Sequence, residues 1–270
     1  MDLKQIISSK TGLTYKYNTS DKLRGASILE PQGDVFKDVV SLDFRSFYPS
    51  IIVSYDIFGP EMSKWLIEMF YKKQQGNKDA KLAMNSIYGM MKHFDINKAQ
   101  KVTQIGREWI RELRDYLKSI GFNVIYSHTD SVMVCDVNGD FLNKAVEKYN
   151  EIRLRMMKSD NIIIGVEIEN KFKYIYFKKT LDNTFAKNTY IGVNHDDSWV
   201  MKGNWKPTLE EIKHIDFVKY MLSRGKYIVT SKDLQEYICT YTNSTDKIES
   251  FINLEDMNIL SVERNTIHLD

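Results

Sequence analysis

The segment NVIYSHTDSVMVCD, residues 123–136, constrains the fold of this chain more than any other. Two apolar runs stand on either side of a short polar tip, a pattern that closes as an antiparallel β-hairpin. The sequence before it is helical in period. Val102, Ile105, Trp109, Leu113, Tyr116 and Ile120 fall on one face of a helix over 97–120, and Gly121 stands where a C-cap glycine would end it. Further back, DVVSLD at 38–43 reads as a buried strand running into a carboxylate. The spacing then turns helical through 46–53, with Pro49 tolerated in a first turn. Met62, Leu66, Met69 and Phe70 predict a helix over 60–75, QGN at 75–77 a turn, and 79–91 a second helix, so the two form a helical hairpin. After the β-hairpin, 140–158 reads as helix and 162–177 as strand. The order strand, helices, hairpin, helix, strands predicts an α+β fold with helices packed on an antiparallel sheet.

Composition excludes several classes. Hydrophobic content of 43% and aromatic content of 12% argue against disorder. A net charge of +2, from 38 basic and 36 acidic residues, neither requires nor forbids a nucleic-acid partner, because a local basic stripe can hide in a neutral average. Cys135 and Cys239 are the two cysteines, with no C-x-x-C pair, which argues against a disulfide framework or a cysteine zinc site and fits a reducing interior. The first twenty residues lack the apolar core of a signal peptide. The best apolar run, Ile162 to Val166, is strand-length, so no membrane span is expected and a cytoplasmic location is.

Four clusters carry chemistry. Asp43 ends the buried strand inside SLDFRSFYPSII, where a rigidly held carboxylate suits a metal ligand. Taken alone, a helix N-cap explains it more often. In KLAMNSIYG, Lys81, Asn85 and Tyr88 recur at i, i+4 and i+7 on one helical face, poor material for a core but suited to gripping a phosphorylated ligand. At the hairpin tip, His128-Thr129-Asp130-Ser131, turn chemistry accounts for an acid about as often as function does. Apolar strands on both sides would nevertheless hold Asp130 at a fixed height, where it could meet Asp43. Last, KFKYIYFKK at 171–179 interleaves lysines with aromatic residues, as a nucleic-acid backbone or a soluble edge strand would use. Strand alternation would put Lys171, Lys173 and Lys179 on one face and Lys178 on the other.

Together and in this order, these segments resemble the family B (polymerase-alpha-like) DNA polymerases. SLDFRSFYPSII looks like that family's motif A, KLAMNSIYG like motif B and YSHTDS like motif C. VEIENKFKYIYFKKTL is similar to the later stretch ending in a Lys-Lys-Arg-Tyr element, and RGASILEPQGDVFKDVV at 24–40 to the lead into motif A. The likeness runs from about residue 24 to about 204.

The resemblance implies a palm over 1–57 and 94–205, a fingers helical hairpin over 58–93, and a small, mostly helical, thumb-like region over 206–270. It implies template-directed addition of deoxynucleotides to a primer 3′ end. Two magnesium ions, for which manganese can substitute, would be held by Asp43, Asp130 and the backbone carbonyl of Phe44, with Glu169 a weaker candidate. Tyr48 takes the family's steric-gate position beneath the sugar. Ser46, Phe47, Lys81 and Asn85 would face the nucleotide. Counting back from the turn near Gly76 sets Lys81 opposite Lys72, so Lys72 and Lys73 are candidates for a second cationic contact. Tyr88, Gly89, Thr129, Lys178 and Lys179 would touch primer-template DNA.

Three departures stand out. His128 replaces an acid of motif C, removing negative charge beside the metals. Residues 55–80 contain no arginine, although the family often places one on the first fingers helix. Thr180-Leu181 stands where Arg-Tyr is expected. Nothing before residue 24 could form a 3′–5′ exonuclease, so that domain is expected on a separate partner chain, as in a split polymerase of a phage or other mobile element; the alternative is a compact polymerase that never had one. The competing expectation is a non-catalytic polymerase-like subunit that binds DNA or scaffolds a replication complex.

Overall fold

Asp2 opens the described chain by capping helix α1 (Leu3–Thr11), its carboxylate accepting from Lys4 N–H while Gln5 reaches back to the Asp2 amide. The computed structural model describes residues 2–16, 25–33, 35–135, 139–157, 165–179, 184–196 and 198–203. The elements after α1 are β1 (Ile28–Leu29), β2 (Val35–Phe44), α2 (Phe47–Ser54), α3 (Pro60–Gln74), α4 (Lys78–Phe94) and α5 (Ile96–Ser119). They continue as β3 (Asn123–His128), β4 (Ser131–Cys135), α6 (Gly139–Met157), β5 (Val166–Lys179), β6 (Phe185–Asn194) and β7 (Trp199–Lys202). Hydrogen-bonded neighbours run β1-β3-β4-β2-β5-β6-β7, and the registered pairs β1–β3, β3–β4, β5–β6 and β6–β7 are antiparallel. The α+β expectation holds.

The chain divides into two compact units, each discontinuous in sequence. The first comprises Met1–Leu29 and Ser41–Asn170. Its core is mainly apolar: Leu42, Phe44, Ile51, Leu66, Ile87 and Trp109 are among its fully buried side chains, each worth about 1.5–3 kcal/mol for burial. Helices α3 and α4 pack on one another as the expected helical hairpin. Gly76 takes a left-handed φ of 82° in the turn between them, and Asn77 caps α4 by accepting from Ala80 N–H. Asp95 caps α5 by accepting from Asn97 and Lys98 N–H. Gly121, with a φ of 92°, follows the end of α5 as its sequence position predicted.

The second unit comprises Glu30–Val40 and Lys171–Asp270. Within it Phe36 meets Phe177 edge-on at 6.0 Å, and Phe177 meets Tyr190 at 5.9 Å. The β5–β6 pairing shifts register between Phe172 and Tyr174 and again between Phe177 and Lys179. Those irregularities interrupt the simple alternation expected for Lys171, Lys173 and Lys179. The thumb-like region of 206–270, residues 158–164 and Thr180-Leu181 lie outside the described residues.

Candidate active site

Asp43 is carried on β2, half-buried between the buried Leu42 and Phe44. Helix α2 starts later, with Ser46 at its N-cap, so the helix-cap explanation of Asp43 does not apply. Ser46 adopts a left-handed φ of 43° and makes no side-chain cap bond. Its hydroxyl instead accepts from Lys73 Nζ at 3.1 Å, which ties the end of α3 to the turn after Asp43.

Asp130 is presented by the β3–β4 hairpin. His128 pairs with Ser131, leaving Thr129 and Asp130 as a two-residue loop. Thr129 takes a φ of 56° and Asp130 N–H donates to the His128 carbonyl at 2.7 Å. A β-branched residue in that conformation stores on the order of 1–3 kcal/mol of strain, which the flanking strands must hold. Phe44 N–H then donates to the Asp130 carbonyl at 3.0 Å. One backbone bond thus fastens the residue after Asp43 to Asp130, and the two acids of separate strands come to one locality.

Two carboxylates and nearby carbonyls are hard oxygen donors of the kind a magnesium ion takes, so the residues present fit the expected metal. Among the described residues no group of three or more His, Cys, Asp or Glu side chains is arranged to hold an ion. Glu169 is exposed on β5. Its neighbour Glu167 pairs with Arg45 at 2.8 Å in a largely exposed salt bridge, worth at most about 1 kcal/mol. His128 Nδ1 lies 3.0 Å from Thr129 Oγ1, and its ring is parallel to that of Tyr126.

Tyr48, on the buried first turn of α2, stacks on Tyr88 of α4 with ring centroids 4.4 Å apart and planes 11° from parallel. Burial pushes its phenol well above the ordinary tyrosine range, and Tyr88 and the negative charge of Asp130 push the same way. Phe47 packs against both Phe44 and Tyr48, at 5.2 Å from each. Lys81, Asn85 and Gly89 are exposed along α4, with Tyr88 half-buried. Lys72 pairs with Glu68 at 2.6 Å on the exposed side of α3, so of the two expected cations Lys73 is the one turned toward motif A. In the other unit Lys178 is half-buried on β5 and Lys179 ends that strand.

Sequence reasoning missed Arg107 of α5. Its guanidinium donates to the Gly25 carbonyl at 3.0 Å and its positive charge acts on the Tyr48 phenol. The adjoining glycine was a usable signal: Gly106 leaves room for Phe47, whose Cε1 would lie 3.0 Å from an added Cβ.

No protein-family model matches the chain. Among curated proteins it is 24% identical over 235 residues to "DNA polymerase" of Archaeoglobus fulgidus, covering 68% of this chain and 28% of that protein. It is 24% identical over 266 residues to "DNA polymerase 1" of Sulfurisphaera ohwakuensis, covering 78% of this chain and 28% of that one. The DNA polymerase alpha catalytic subunit of Saccharomyces cerevisiae is 24% identical over 305 residues, 92% of this chain and 19% of the yeast protein. The chain therefore spans under a third of the length of these relatives. In fold it matches the family B DNA polymerase of Pyrobaculum calidifontis with a TM-score of 0.57 at 17% identity, over 82% of this chain and 38% of that structure.

Proposed function

We propose that this chain, a relative of DNA polymerases with the fold of family B, is a template-directed DNA polymerase that extends a primer 3′ end with deoxynucleotides. The observation that carries the proposal is the Phe44 N–H to Asp130 carbonyl bond, because it brings together the two acids that motifs A and C single out. Asp43, Asp130 and the Phe44 carbonyl would hold two magnesium ions, for which manganese can substitute. Bound there, the ions would supply charge stabilisation of the attacking and leaving oxygens.

The remaining roles belong to the chain's own groups. Tyr48, held flat against Tyr88, forms the floor on which a 2′-hydroxyl would collide. Lys73 is already directed at the motif A turn and Lys81 stands exposed on the facing helix, so these two would meet the phosphates, with Ser46, Phe47 and Asn85 beside them. Lys72 would join them only by leaving Glu68. Tyr88, Gly89, Thr129, Lys178 and Lys179 would contact primer-template DNA, and Glu169 would assist the metals. The protein would act in the cytoplasm. Among the described residues no helix is long and apolar enough to cross a membrane.

His128, standing where motif C usually carries an acid, favours a second reading, a polymerase-like subunit that binds DNA without catalysis. Extension of a labelled primer-template with magnesium and all four deoxynucleotides separates the two. Asp130→Asn is expected to lower extension roughly 100-fold or more, the scale of lost metal stabilisation, with DNA binding retained. Extension unchanged by the substitution would sink the assignment of Asp130. No extension by the unaltered chain, with binding intact, would favour the second reading.

A further inference from the structure

Arg153 of α6 is out of place by composition. It is 4% exposed, in a helix whose Asp140, Lys144, Glu147, Lys148 and Glu151 face solvent. Its Nη1 donates to Glu112 at 2.7 Å, but its Nε and Nη2 are buried without hydrogen-bond partners. Burying an arginine with two donors unmet is costly. Its partner Glu112 is 40% exposed, so the pair is buried on the arginine side alone. Replacing even fully buried ion pairs by apolar residues is often neutral or stabilising, so stability alone does not account for the arrangement.

The location of the guanidinium supplies the account. It lies over Trp109, 4.1 Å from the ring centroid. Trp109 packs on Phe44 at 5.8 Å and on Phe47 at 6.1 Å, and Tyr149, one turn before Arg153, packs on Phe44 at 6.3 Å. The backbone of Phe44 in turn bonds Asp130 and follows Asp43 directly. The stack therefore runs Glu112, Arg153, Trp109, Phe44, and it ends on a backbone bond from the residue after Asp43 to Asp130.

We propose that Arg153 is a positioning residue: by clamping Trp109 against Phe44 it fixes the backbone that sets Asp43 against Asp130. The effect on catalysis rests on the polymerase reading; the effect on the backbone does not. Glu112→Leu combined with Arg153→Met removes both charges together and leaves no lone ion in the core. The prediction is a melting temperature held or raised, with the Phe44 amide exchanging about tenfold faster while amides of α3 and α4 keep their protection. The magnesium needed for half-maximal extension should rise about tenfold, as when a group supporting a metal ligand is lost, with DNA affinity unchanged.

A second variant, Arg153→Lys, keeps the charge and the Glu112 partner but loses the planar guanidinium, and should show the same two changes in weaker form. Unchanged exchange at Phe44 in both variants would overturn the inference. So would a uniform loss of protection with a lower melting temperature, which is the signature of a merely structural pair. If the unaltered chain extends no primer, the polymerase reading fails, and the Phe44 exchange still decides the role of Arg153.

Discussion

Tyr48 and Tyr149 are both held by burial, and both phenols are pushed well above their ordinary range, by desolvation first in each case. An unfolded tyrosine ionises near pH 10. Above that pH the unfolded chain releases protons that the folded chain retains, so the stability these residues contribute is intact below about pH 10 and is lost as pH rises toward the folded values. Thermal melts between pH 8 and 11 should show this decline. Tyr149→Phe should flatten it without lowering the melting temperature at pH 7, because the Tyr149 hydroxyl is buried without a partner. A loss of more than about 1 kcal/mol at pH 7 would show that the hydroxyl is satisfied after all. Tyr48 has a functional test of its own. Tyr48→Ala should raise incorporation of ribonucleotides relative to deoxynucleotides by about tenfold or more, a difference of roughly 1.4 kcal/mol, and an unchanged ratio would remove the gate role. At this scale motif and spacing point to side chains that stand out by their own chemistry. Asp43, Tyr48, Lys73 and Asp130 were all named from motif and spacing. Arg153 was not, because an arginine in a helical repeat reads as solvent-facing, and its partners Glu112 and Trp109 are far away in the chain.

Among the elements, the legible ones were those with a strong local signal. The amphipathic period of α5, the turn at Gly76 and the β3–β4 hairpin lie where periodicity and turn residues put them. Helix α1 was not foreseen, since its single buried residue, Ile7, leaves almost no apolar stripe to read. The irregular pairing of β5 was equally hidden, because register depends on the partner strand β6. Glycine gives the element scale its test. At Gly192 of β6 an added Cβ would lie 2.3 Å from Phe172 Cε1, inside any real contact, whereas at Gly106 the nearest atom, Phe47 Cε1, is 3.0 Å away. Gly192→Ala should therefore cost about 1–3 kcal/mol in denaturant unfolding, the usual cost of overpacking, and Gly106→Ala less. The reverse order would mean that Phe172 swings aside more easily than Phe47.

For the whole molecule, a net charge of +2 predicts little about nucleic acid, yet the lysines are not spread evenly. Lys171, Lys173, Lys178 and Lys179 fall within one strand. If the last two touch phosphates, Lys178→Ala with Lys179→Ala should lower the slope of log affinity against log salt by nearly 2, about 0.9 for each phosphate no longer neutralised. Fluorescence anisotropy over a salt series reads this directly, and an unchanged slope would return these lysines to the role of keeping an edge strand soluble. The whole-molecule division into two units was not legible in the sequence. Nothing in the composition near residues 41 or 171 marks a boundary, because β2 and β5 pass through those points as continuous strands.

That discontinuity has a consequence for how the protein is made. The segment Glu30–Val40 belongs to a unit whose other residues begin at Lys171. It leaves the ribosome about 130 residues before them, an interval of roughly ten seconds at common synthesis rates of about 5–20 residues per second. Throughout that time Val35, Phe36 and Val39, all buried in the finished protein, have no native partner from β5 and are open to pairing with whatever strand is near. The nascent chain should therefore lean on holding chaperones while the stretch between Val40 and Lys171 is translated, and its expression should respond more to slowed synthesis there than to slowed synthesis at its end.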